Sequence, residues 1–186
     1  VLVLPRVSSQ VVAVRLPNRY VYSDQLVVIA TASFAVFAWL NSRLHAEWAR
    51  LHSSTLGDGL RYTPSDVFET LPPPLGSFPA LEADAELAAQ GLALEQARNT
   101  ILLERRIGLS ALMRKLCEPP LDTQLSALRD RLVALDQAVF KAYGCSDLQP
   151  EWHAERGHPA FKPALRAELL QRLKAIETHP EPKAAS

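Results

Sequence analysis

The chemistry available in the first part of this chain is carried mainly by guanidinium groups. Residues 1–75 contain Arg6, Arg15, Arg19, Arg43, Arg50 and Arg61 and no lysine. A guanidinium is a planar fork that donates two parallel N–H bonds to a guanine edge or a phosphate, whereas an ammonium acts only as a point charge. The same usage also arises from composition bias in a GC-rich genome. Arg43, Arg50 and Arg61 lie near Asn41, His45 and Tyr62, and an asparagine amide matches an adenine edge. Asn41, Arg43, His45, Arg50, Arg61 and Tyr62 therefore form the candidate set for contact with double-stranded DNA. Tyr62 and Trp48 also read as core aromatics, since rings at helical spacing or beside a strand are usually buried.

Other chemistry is poorly provided for. His45 and His52 are seven residues apart, whereas metal ligands on one helix sit three or four apart. Cys145, His153 and His158 would meet only if their loop folded back, and a solvated loop is the reading adopted. Cys117 and Cys145 have no CxxC spacing, which argues against a zinc ribbon and fits a reducing cytoplasm. No glycine-rich cofactor loop, no N-P-P-Y stretch and no PD-(D/E)xK cluster is present, so no catalytic residue and no metal site is assigned. Net charge is zero, with 48% hydrophobic and 22% charged residues, which argues against coating DNA or a membrane by charge alone. Within the longest uncharged run, residues 25–42, the mainly apolar part, residues 26–40, is too short to span a bilayer. The chain opens Val1-Leu2-Val3-Leu4 without methionine, which we read as a cut inside a longer protein.

The elements that must position these residues follow from periodicity. Stretches 1–7, 11–16, 20–22 and 26–31 are rich in β-branched residues and separated by turn formers, as strands require. Ser33 predicts the N-cap of one helix over residues 34–52, with Phe34, Phe37, Leu40, Leu44, Trp48 and Leu51 on one face and Arg43, His45 and Arg50 on the polar side. Residues 53–59 read as a small-residue loop, and Arg61-Tyr62 begins a short extended stretch. Pro72-Pro73-Pro74 and Pro79 form a stiff connector, taken as the domain boundary. Beyond it the sequence predicts helices over 80–106, 108–116, 123–143 and 163–177, then a frayed tail from His179. Leu87, Leu94 and Ile101 lie a heptad apart; Leu125, Leu128, Leu132, Leu135, Val139 and Ala142 take a/d spacing, stopped by Gly144. The expected fold class is α+β: a small mixed or antiparallel sheet with one main helix, then an all-helical domain. The expected domains are 1–75 and 76–186.

Several of these motifs occur together in one known order. Ser33-Phe34-Ala35-Val36-Phe37-Ala38-Trp39-Leu40-Asn41-Ser42-Arg43-Leu44-His45, then Trp48-Ala49-Arg50, then Leu60-Arg61-Tyr62-Thr63-Pro64 and an exit through Leu71-Pro72 resemble the end of the target-recognition domain of type IIG restriction–modification enzymes. Related phage-defence adenine methyltransferases share it. In that family an "L-S-H-x-x-W" helix precedes an "R-Y-S/T" segment and an "F-P-x-P" exit; here leucine stands before the proline. Downstream, Arg106-Ile107-Gly108-Leu109-Ser110-Ala111-Leu112 resembles the family's "G-L-T" helix, and Leu135-Asp136 through Ala142-Tyr143-Gly144 its "L-D-x-A-V-x-x-A-Y-G" helix. Pro73-Pro74-Leu75 is more loosely similar to the exit of type I specificity subunits.

The resemblance implies a non-catalytic recognition piece of a DNA adenine-N6 methyltransferase. Its partners would be double-stranded DNA and an upstream methyltransferase domain of the same polypeptide, with no membrane. The fragment itself would hold no cofactor; S-adenosylmethionine would bind in the parent chain, with an endonuclease fused in some forms. The competing readings are a helical scaffold that never meets nucleic acid, supported by the 15 acidic against 14 basic residues after residue 75, and a type I-like specificity subunit.

Overall fold

The computed structural model describes residues 1–56 and 59–178. It is α+β, with small antiparallel sheets at the N-terminal side and helices over most of the remainder. β1 (Leu2–Pro5) is the central strand of a sheet ordered β3-β1-β4, with β3 at Val14–Arg15 and β4 at Leu26–Ile29, all antiparallel. Leu2, Val3 and Leu4 are buried in succession, as a strand covered on both faces requires. Pro5 ends β1. The chain bends at Arg6 and enters β2 (Val7–Ser8), which belongs to a second sheet ordered β2-β6-β5. Two hydrogen bonds hold the bend: Arg6 N–H donates to the Gln25 carbonyl, and Tyr62 N–H donates to the Arg6 carbonyl. Residues 20–22, expected to be extended, form no strand.

The predicted helix over 34–52 is two helices, α1 (Phe34–Asn41) and α2 (Arg43–His52). Ser33 caps α1 as expected, accepting from Val36 N–H at 3.3 Å. The break follows from the Asn41-Ser42 pair, whose short polar side chains compete for backbone groups. Asn41 Nδ2 donates to the Phe37 carbonyl at 2.8 Å. The Ser42 hydroxyl donates to the Trp39 carbonyl at 2.6 Å and accepts from His45 N–H, so an extended Ser42 closes one helix and caps the next. Residues 35–40 of α1 are all buried, and a helix apolar all round lies in a core. The phase set by α1 does not carry into α2, and Leu51, expected inside, is exposed.

Residues 53–59 were expected as a loop. Instead β5 (Ser54–Leu56) pairs antiparallel with β6 (Gly59–Arg61), and β6 also pairs with β2. After a 3-10 turn at Pro74–Gly76 come α3 (Phe78–Ala83) and α4 (Ala85–Arg105), separated where Asp84 accepts from Leu87 N–H at 2.7 Å and so caps α4. α5 (Leu109–Cys117), α6 (Thr123–Ala142) and α7 (Pro163–Thr178) match the expected helices closely. The tail from His179 lies outside the described residues. Between α6 and α7, where a solvated loop was expected, β7 (His153–Glu155) and β8 (His158–Ala160) form a hairpin. Its two-residue turn, Arg156-Gly157, has φ of 51° and 77°, as a type I′ hairpin requires.

One contiguous hydrophobic core runs through both halves. α1 packs chiefly on α4, and α4 on α6, through Leu87, Leu94 and Ile101 on α4 and Leu125, Leu128, Leu132, Leu135 and Val139 on α6. The α1–α4 approach is close enough that a Cβ on Gly91 would lie 2.1 Å from the Phe34 carbonyl oxygen. Tyr143 joins the parts by polar contacts: its hydroxyl accepts from Trp39 Nε1 at 2.9 Å and donates to the Pro72 carbonyl at 2.6 Å.

Candidate nucleic-acid interface

The ledge expected from Asn41, Arg43, His45 and Arg50 faces inward. Arg43 begins α2 and is 2% exposed. Its Nε donates to Asp136 Oδ2 at 2.6 Å, its backbone N–H to Asp136 Oδ1 at 2.8 Å, and its Nη1 to the carbonyls of Glu151 and Ala160. The guanidinium lies over Phe161, with its carbon 4.6 Å from the ring centroid. Asp136 is on α6 and fully buried, and burial raises its carboxyl above the ordinary value against the pull of Arg43. A buried cation is tolerated where a carboxylate and carbonyls replace its water, and Arg43 meets that condition on α6 and β8.

His45 is 0% exposed. Its Nδ1 is 2.8 Å from the Leu40 carbonyl, which can only accept, so Nδ1 carries the proton. Nε2 then accepts from the Tyr62 hydroxyl at 2.9 Å. Desolvation lowers the His45 pKa to about 4, so the ring is neutral at pH 7. Tyr62 is 2% exposed, and burial raises its phenol well above the ordinary value. Asn41 accepts from Ala13 N–H at 3.1 Å and from Arg98 Nη1 at 3.2 Å, fastening the segment before β3 and α4 to the end of α1. Arg50, at the end of α2, is half-buried, and desolvation lowers its pKa. The polar side chains of α2 were expected to point outward because its opposite face is apolar. Instead α6, α7 and β8 cover that side and supply the carboxylate and carbonyls. Trp48 is buried, as read from its spacing, and donates to Thr70 Oγ1.

Arg61 remains exposed, the last residue of β6, directly opposite Val7 of β2 and Ser54 of β5. Opposed residues of an antiparallel pair project from the same face, and Val7 is itself exposed. Arg6, at the bend one residue before β2, is exposed as well. Neither arginine has a carboxylate within ion-pair distance among the described residues. Arg19 and Tyr20 are exposed on the loop between β3 and β4, where the guanidinium lies 5.4 Å from the ring centroid. Arg15 is committed elsewhere, to Glu95 at 3.2 Å and to the face of Phe34. The outward-facing arginines of the first 75 residues are therefore Arg6, Arg19 and Arg61, two of them at the same end of the β2–β6–β5 sheet. Sequence reasoning singled out Arg61 but passed over Arg6, whose signal was its place immediately after a strand-ending proline.

Residues 1–75 match the family model described as MmeI, target recognition domain. The chain is thus similar, over the segment that ends at the proline-rich exit, to the recognition domain of a type IIG restriction–modification enzyme. The match to the MmeI target recognition domain supports sequence recognition on DNA within a restriction–modification enzyme. Residues 76–186 lie outside it. No curated protein and no solved structure matches the chain. Among the described residues no helix is long and apolar enough to cross a membrane, and no group of three His, Cys, Asp or Glu side chains is placed to hold a metal ion.

Proposed function

We propose that this chain is the recognition and bracing part of a DNA adenine-N6 methyltransferase of the restriction–modification type, with no catalytic residue of its own. The observation that carries the proposal is the match of residues 1–75 to a target recognition domain. In this reading a methyltransferase domain upstream in the same polypeptide holds S-adenosylmethionine and receives the flipped adenine. Residues 76–186 form a helical domain that braces the recognition segment, in a cytoplasmic enzyme.

The duplex would lie against the end of the β2–β6–β5 sheet that carries Arg61 and Arg6, both donating to phosphates or guanine edges. Asn41, Arg43, His45, Arg50 and Tyr62 would act at one remove, by fixing the helices and the β6 exit behind that edge. The test is fluorescence anisotropy of the chain with a labelled random-sequence duplex pool across a salt series. The Arg6→Ala/Arg61→Ala variant should lower the slope of log K against log salt by about 0.9 per lost phosphate contact. An unchanged slope would remove those two residues from the interface. A helical scaffold that never meets nucleic acid is favoured by one observation, the inward use of Arg43, Arg50 and Arg98, and it would stand if the wild-type chain bound no duplex.

A further inference from the structure

Beneath the junction of α2, α4 and α6 lies a small cavity of about 30 Å³, lined by Arg43, Arg50, Arg98, Gln10, Asn41 and apolar side chains that include Leu132. Three arginines around one cavity is an unusual lining, because a buried guanidinium is costly without a carboxylate. Arg43 has its carboxylate in Asp136. Arg50 and Arg98 have none within ion-pair distance among the described residues, although Arg98 is only 4% exposed. Arg98 is held by Asn41 Oδ1 and lies over the Phe37 ring, neither of which carries a charge.

Each of the three also presents a buried N–H without a hydrogen-bond partner: Arg43 Nη2, Arg50 Nη1 and Arg98 Nε. Among the cavity-lining residues these are the unpartnered buried side-chain atoms, and all three are donors. Arginine offers no acceptor. Water would meet the donors while leaving its own hydrogens unanswered and the charge offset only at longer range, by Glu47 and Glu155 for Arg50 and by Glu95 for Arg98, whereas a small anion accepts from all sides and neutralises charge in contact. The volume admits about two waters or one monatomic anion and excludes phosphate or sulfate with its oxygens.

We propose that this cavity is a structural binding site for one halide-sized monovalent anion, chloride under ordinary conditions, held by the N–H groups of Arg43, Arg50 and Arg98. The site would tie α2, within the recognition segment, to α4 outside it. Desolvation lowers the pKa values of Arg50 and of Arg98, the latter to about 10, and a bound anion would oppose both shifts.

The test uses bromide as probe on the wild-type chain. Crystals grown or soaked in sodium bromide should give an anomalous peak within hydrogen-bond reach of the Arg50 and Arg98 guanidiniums. In solution, replacing chloride by gluconate at constant ionic strength should lower Tm, and bromide should restore it. Arg98→Met, which removes one donor and one charge, should abolish the difference between chloride and gluconate. Ordinary water density with no anomalous signal would overturn the proposal. So would a Tm that follows ionic strength alone, and neither result depends on a variant that folds.

Discussion

Replacing Gly91 by alanine tests the packing that holds the recognition segment to the helices. In a helix interior the exchange ordinarily stabilises by about 1 kcal/mol, because glycine loses more backbone freedom on folding. Here the added Cβ would sit 2.1 Å from the Phe34 carbonyl oxygen and 3.0 Å from its carbon, against an ordinary contact of 3.4–4 Å. The obstacle is backbone, and α1 is buried on every side from Ala35 to Leu40, so no side-chain rotation relieves it. α4 must move off α1 by more than 1 Å. A gap of that size forfeits a quarter to a half of the dispersion energy across the contact, and Leu87 and Leu94 sit on the moving face. A backbone clash this close puts overpacking above its usual range of about 1–3 kcal/mol, at about 4 kcal/mol, which less the propensity gain leaves a net loss of about 3 kcal/mol. With an m-value of about 2 kcal/mol/M in urea, the midpoint should fall by about 1.5 M. Urea unfolding followed by tryptophan fluorescence reads the shift. A Gly91→Ala midpoint equal to or above wild type would refute the claim that the two helices meet backbone to backbone here.

Three further outcomes follow from buried polar groups. Asp136→Ala strands the Arg43 guanidinium and should cost about 3–5 kcal/mol, whereas Arg43→Met with Asp136→Leu should recover most of that loss in the same urea assay. The His45 pKa in the folded state, about 4, lies below its unfolded value of 6.5, so its contribution is complete above pH 6.5 and is lost as pH falls towards 4. That window should hold about 3 kcal/mol, and a His45→Gln variant should show a correspondingly flatter loss of stability over the same range. Tyr143→Phe leaves the Trp39 indole N–H and the Pro72 carbonyl without their shared hydroxyl and should lower stability by about 2 kcal/mol, measured by thermal unfolding.

Much of the fold was legible because it is written in local spacing. The a/d leucines of α6, the Leu87-Leu94-Ile101 heptad stripe and the Ser33 cap each specify an element through residues within a turn or two of one another. The error over residues 34–52 is instructive in the same terms. A 3-4 pattern ran through Asn41-Ser42, yet those two side chains take backbone hydrogen bonds that a continuous helix would need. The buried arginines were illegible for a different reason. Arg43 looks like a solvent-facing cation until Asp136, 93 residues away, is brought beside it, and no periodicity reports such a pairing. The two hairpins were missed because their strands have only three residues each, too few for alternation to register. In the case of β7–β8, Arg156-Gly157 was the available clue. Arg61 was legible as a candidate because an exposed residue at the end of a strand needs no distant partner to stay outside.

The Arg43–Asp136 bond has a practical corollary for anyone who would graft residues 1–75 onto another protein. The matched segment ends at residue 75, but the carboxylate that satisfies its most deeply placed arginine belongs to α6, and the carbonyls that finish the job come from residues 151 and 160. A chimera cut at the proline-rich exit would import one half of an electrostatic lock without its key. The transplantable unit runs from the first strand through the β7–β8 hairpin.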